Sequence, residues 1–125
     1  MIAADTSTWV AYLRGDAGDD VQLLDEALRS RQVAMVPVVL TELLSDPKLP
    51  PDVAKLLGEI PVLEIETGFW ERAGALRAGV LAKRRKARLG DALIAQICLD
   101  RAVPLISRDK DFEVFARGTG LKVMP

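Results

Sequence analysis

The chain has 125 residues, half of them hydrophobic, 5% aromatic and 28% charged, which suits a single domain over residues 1–125 with a real core. Its formal net charge is −1, so no global field draws in nucleic acid, and with no histidine and one cysteine it lacks His-based acid–base catalysis, the usual zinc ligand sets and any internal disulfide. No apolar run approaches the roughly 20 residues that span a membrane, and Met1-Ile2 leads into Asp5 without a basic leader region, so no signal peptide and a cytoplasmic setting are expected.

Ile2-Ala-Ala4 is an apolar run of strand length, ended by Asp5-Thr-Ser7, whose side chains can cap the next helix. Thr8–Leu13 reads as that helix, stopped at Gly15. Val21, Leu24 and Leu28 recur at helical spacing within Val21–Arg31, with Asp19 or Asp20 as a candidate cap. Val33–Val36 is a second strand. Pro37 suits the first position of a helix through Leu44, broken by Asp46-Pro47. The alternative, a strand running on through Val38-Val39-Leu40, conflicts with Pro37 in a central strand.

Pro50-Pro51 opens a helix that Gly58 ends, and Pro61–Ile65 reads as a third strand. Thr67–Lys83 is a longer helix with Phe69, Trp70, Ala73, Leu76 and Val80 on one face. Trp9, Tyr12, Phe69 and Trp70 read as core or interface before they read as platforms for bases. Arg88–Cys98 carries Asp91 at the mouth of an apolar helix, with Leu93, Ile94, Ile97 and Cys98 as its packing face. Val103–Ile106 is a fourth strand, Ser107–Phe112 a turn into a short helix, and Leu121–Met124 a fifth strand at an edge. Strands alternating with helices indicate an α/β fold, a three-layer α/β/α sandwich around a mainly parallel sheet of four to five strands.

In such a sheet the carboxyl ends of the strands and the starts of the following helices share one edge, where ligands bind. Asp5 ends strand one, Glu42 lies in the helix after strand two, Asp91 is at a helix start, and Asp109 follows strand four. Taken singly, each has an ordinary reading as a cap or an exposed acid. Falling together on one edge, they point to a site. Carboxylates about 4 Å apart repel by roughly 4 kcal/mol at an effective dielectric near 20. A cluster therefore takes up protons or binds a cation, and an all-oxygen donor set suits Mg²⁺ or Mn²⁺, the ions of phosphoryl chemistry. The densest basic run, Lys83, Arg84, Arg85, Lys86 and Arg88, lies just ahead of Asp91. It reads either as a solvated charged segment or as a clamp on a phosphate backbone.

Ile2-Ala-Ala-Asp5-Thr-Ser7, Thr41-Glu42-Leu43-Leu44, Gly90-Asp91-Ala-Leu-Ile-Ala95 and Ser107-Arg-Asp109-Lys-Asp111-Phe112 resemble the four acidic motifs of PIN-domain ribonucleases, most closely the small VapC-type toxins of toxin–antitoxin pairs. The resemblance covers the whole chain. It implies cleavage of RNA dependent on Mg²⁺ or Mn²⁺, with Asp5, Glu42, Asp91 and Asp109 as catalytic, metal-binding acids. It implies supporting roles for Ser107, where the family more often has Thr, for Asp111, ranked below Asp109, and for Thr6. It further implies a homodimer and a cognate antitoxin partner that inserts a basic side chain among the acids. Two other classes compete with it. A phospho-accepting receiver-like domain needs an aspartate after the third strand, where Glu64 and Glu66 stand here. A binding protein that regulates without cutting would not need the intact set of acids.

Overall fold

The computed structural model describes residues 1–125. Three two-residue strands form a wholly parallel ladder: β1 (Ala3–Ala4), β2 (Leu105–Ile106) and β3 (Val123–Met124), in the order β1-β2-β3. The second and third expected strands join as single parallel bridges, Ile2 to Val33 and Met35 to Val62. The parallel sheet direction therefore continues beyond β1 through single bridges rather than full ladders. Backbone bonds hold them in place: Ala34 donates to the Ile2 carbonyl at 2.9 Å and Met35 to that of Pro61 at 2.7 Å.

The helices are α1 (Thr6–Arg14), α2 (Asp19–Arg29), α3 (Pro37–Leu44), α4 (Pro51–Gly58), α5 (Phe69–Ala82), α6 (Leu89–Asp100) and α7 (Glu113–Ala116), with a 3-10 turn at Lys110–Phe112 before α7. Pro37 opens α3 as its chemistry demands, which excludes the strand extension through Leu40. Gly15 ends α1 in the left-handed conformation, φ 76°, where its amide returns to the Ala11 and Tyr12 carbonyls. The expected cap of α2 is corrected: Gly18 occupies that position, and Asp19 and Asp20 lie within the first turn.

Helices α1 and α2 pack on each other, as do α5 and α6, and α3 touches both α1 and α6, giving the α/β/α arrangement around the strands. One hydrophobic core of 25 buried residues fills the interior, with Trp9, Phe69, Phe112 and Phe115 its largest members. Trp70 departs from the expected face of α5 and is 60% exposed; it lies one position around from Phe69, which takes the core. Cys98 is buried on α6, and burial pushes its thiol up to about 12, so it behaves as a small hydrophobe. No helix is long and apolar enough to cross a membrane.

Candidate metal centre

The register of the parallel ladder brings the first and last motifs together. The Asp5 amide donates to the Ile106 carbonyl at 3.0 Å, and Ser107, the next residue, donates its own amide to Met124 at 2.9 Å. Asp5 and Ser107 thus leave adjacent strand ends on the same edge. The Ser107 hydroxyl donates to Asp5 Oδ2 at 2.7 Å. The Asp5 carboxylate also accepts the Thr8 amide at 3.0 Å and the Ser7 hydroxyl at 2.9 Å, so it caps α1 while facing the edge. It is only 3% exposed. Burial pushes its carboxyl above the ordinary range, and the hydrogen bonds from Thr8, Ser107 and Ser7 oppose that by favouring the ionised form.

Glu42 projects from α3 into solvent, and its Oε1 accepts the Thr6 hydroxyl at 2.8 Å. That bond ties the second acid to the residue after Asp5. Asp91 lies in the first turn of α6, half-buried. Its pKa is pushed up to about 6, chiefly by burial and then by the charges of Asp109, Asp111 and Asp5, while Arg88 pulls it down. Asp109 caps the 3-10 turn by accepting the Asp111 amide at 2.9 Å, and its own amide donates to Ser107 Oγ at 2.9 Å. Ser107 therefore bridges Asp5 and Asp109 with one hydroxyl.

The tightest group is Asp91, Asp109 and Asp111, one carboxylate oxygen from each lying within 4.8 Å of the others. Asp111 stands in this group beside Asp109 rather than behind it: Asp109, extended at the cap of the 3-10 turn, and Asp111 within the turn both bring a carboxylate oxygen to Asp91. Asp5 stands next to the group, near enough for its charge to act on Asp91. Glu42 reaches the edge only through Thr6. Asp91, Asp109 and Asp111 are oxygen donors alone, half-buried and close together, and that donor chemistry fits a hard divalent cation such as Mg²⁺ or Mn²⁺.

The basic run does not act as one clamp. Lys86 Nζ lies 3.6 Å from Asp111 Oδ2, and Arg88, at the residue before α6, is near enough for its charge to act on Asp91. Lys83 and Arg85 turn instead to a cavity between α5 and α7. Arg84 ends α5 in the left-handed conformation, φ 57°.

Sequence reasoning missed a second network under the edge. The Asp20 side chain is only 5% exposed. It accepts Arg108 Nε at 2.8 Å, Arg108 Nη2 at 3.1 Å and the Thr8 hydroxyl at 2.9 Å. Arg108 also donates to the Ala17 carbonyl at 3.1 Å. This fork lowers the Asp20 carboxyl and ties the Ser107–Asp109 segment to the start of α2. Gly18 makes room for it: a Cβ there would sit 2.5 Å from Asp20 Oδ1 and 2.8 Å from Arg108 Nη2. The partners lie 88 residues apart, and the only local signal is an arginine between Ser107 and Asp109.

The PIN domain family model matches residues 2–118 of the chain. Ribonuclease VapC11 of Mycobacterium tuberculosis is 33% identical over 132 residues, spanning 98% of this chain and 96% of its own. Two solved structures share the fold. VapBC-5 of Mycobacterium tuberculosis, a member of the VapBC family of toxin–antitoxin systems, superposes with a TM-score of 0.70 at 23% identity, covering 98% of this chain and 96% of its own. VapBC2 of Rickettsia felis, solved bound to a DNA fragment from its promoter, gives 0.75 at 18% identity, covering 99% of this chain and 98% of its own.

Proposed function

This chain belongs to the PIN domain family, and we propose that it is an endoribonuclease, the toxin of a toxin–antitoxin pair, which hydrolyses RNA phosphodiesters at the acidic edge with Mg²⁺ or Mn²⁺. The observation that carries the reading is the convergence of Asp91, Asp109 and Asp111 within 4.8 Å, beside Asp5 at the end of β1. A near-full-length relative that is a VapC ribonuclease supports the reaction class, and the VapBC neighbours support an antitoxin as partner. A homodimer is part of the same proposal.

The acids proposed to hold the cation are Asp5, Glu42, Asp91 and Asp109, with Asp111 on the same rim. When bound, a divalent cation there supplies Lewis-acid polarisation of the phosphate and activation of water. The chain's own residues do the positioning. Ser107, Ser7 and the Thr8 amide fix the Asp5 carboxylate and favour its charged form. Thr6 orients Glu42. The α6 N-terminus favours the ionised form of Asp91 against the repulsion of its neighbours. Lys86 and Arg88 supply positive charge beside the acids for the RNA backbone, and Lys83, Arg84 and Arg85 extend that charge away from the edge. The products are a 5′-phosphate and a 3′-hydroxyl.

The test is purified protein with Mn²⁺ and total RNA, beside Asp91→Asn and an EDTA control. Cleavage by the wild type alone, stopped by EDTA, is expected. Cleavage by Asp91→Asn at the wild-type rate would remove Asp91 from the site, and cleavage in EDTA would remove the cation.

A further inference from the structure

A cavity of about 470 Å³ lies between α5 and α7, away from the acids. Leu76, Gly79 and Val114 contribute an apolar floor, Lys83, Arg85 and Arg117 a cationic rim, and no carboxylate lines it. Lys83, Arg85 and Arg117, like most of the chain's cations, meet no carboxylate within 4.0 Å; what sets them apart is that they line one cavity. Three cations around one cavity with no acid in its lining complement an anionic ligand. The loop backbone holds the arrangement: the Arg85 amide returns to the Val80 carbonyl at 3.3 Å, folding Arg85 back over the last turn of α5.

We propose that this cleft is a nucleotide subsite for an RNA strand, its phosphates on Lys83, Arg85 and Arg117 and one base on the apolar floor. The proposal rests on the ribonuclease reading and adds to it where the strand goes beyond the cut. The volume suits a ligand of nucleotide size. The position suits it too: Arg85 on the rim is followed by Lys86, which lies 3.6 Å from Asp111 in the acid group. A single peptide unit, about 3.8 Å between Cα atoms, thus separates the residue that meets the acid group from the one on the rim of the cleft. Arg117, from the end of α7, joins a site that the basic run alone does not reveal.

The test measures binding of a labelled single-stranded RNA of about 12 nucleotides, by fluorescence anisotropy, to Asp91→Asn protein so that the probe survives. Arg85→Gln with Arg117→Gln should weaken binding about tenfold and flatten the slope of log affinity against log salt by about 1.4, near 0.7 for each phosphate of a single strand that is no longer neutralised. Gly79→Leu fills the floor without a change of charge; nothing lies within 4 Å of a Cβ there, and leucine favours the helix, so the protein should fold. It should weaken binding with the salt slope unchanged. Lys48→Gln with Lys55→Gln, at exposed positions outside the cleft, should leave both quantities unchanged.

Unaltered affinity and slope in the Arg85/Arg117 variant overturn the subsite, as does an equal loss in the Lys48/Lys55 control. A change of oligomeric state with RNA affinity intact would make the cleft an interface between copies and also overturn it. Wild-type protein assayed alongside with Mn²⁺ separates the two levels. Cutting by the wild type with undiminished binding by the Arg85/Arg117 variant removes only the subsite. Neither cutting nor binding by the wild type removes the ribonuclease reading and the subsite with it.

Discussion

Replacing Asp91 by asparagine should make the protein more stable while abolishing its reaction, and the pH dependence of the gain is diagnostic. In the folded chain the Asp91 carboxyl keeps its proton up to about pH 6, against 3.8 for the ordinary side chain. Between those values the folded state binds more protons than the unfolded state, so stability falls as pH rises through the window. At 1.36 kcal/mol per pH unit, moving the pKa from 3.8 to about 6 corresponds to about 3 kcal/mol at most. Asp91 is half-buried, so water screens part of this, and about 1 to 1.5 kcal/mol is the expected penalty at pH 8. Asparagine has no proton to lose and escapes it. In a chain of this size the gain corresponds to a rise in Tm of roughly 3–6 °C at pH 8, shrinking to nothing near pH 4. Thermal unfolding followed by circular dichroism in EDTA, from pH 4 to 8, measures it. Adding Mg²⁺ or Mn²⁺ should then stabilise the wild type and not the variant, since only the wild type keeps the third carboxylate of the group. A Tm difference independent of pH, or a variant less stable than wild type at pH 8, would refute the electrostatic reasoning.

Ser107→Ala removes the hydroxyl that joins Asp5 to Asp109 and should lower affinity for Mn²⁺ about tenfold, measured by calorimetric titration, with a stability loss of about 1 kcal/mol. Glu42→Gln should leave the stability from urea unfolding within about 0.5 kcal/mol of wild type, because the side chain is exposed, yet abolish RNA cleavage; undiminished cleavage would take Glu42 out of the site. Arg108→Ala strands the buried Asp20 carboxylate and should cost about 3 kcal/mol in urea unfolding, part of it recovered by adding Asp20→Asn. Affinity for Mn²⁺ should rise with pH through about 6, since the cation requires Asp91 ionised; affinity constant between pH 5 and 8 would separate Asp91 from cation binding.

The alternation of short apolar runs with amphipathic stretches was sufficient to place the seven helices, because it is a local property of the chain. Pro37 and Gly15 mark a helix start and a helix end through their own backbone chemistry, and both act so in the fold. The lack of histidine, with one buried cysteine, left oxygen as the donor for any cation. The positions of Asp5, Asp91 and Asp109 at element ends follow from the same local pattern. What side chains meet across the chain is not local. The group formed by Asp91, Asp109 and Asp111 depends on the 3-10 turn, whose geometry no periodicity announces. The Ser107–Asp5 bond depends on the parallel register of β1 and β2, and the Asp20–Arg108 pair on where α2 lies against the end of β2. The basic run is continuous in sequence and divided in space, Lys86 toward the acids and Lys83 with Arg85 toward α7, because the end of α5 turns the chain between them. Residue type and spacing thus determined which chemistry the chain can perform, while packing of distant segments decided which of its charges stand together.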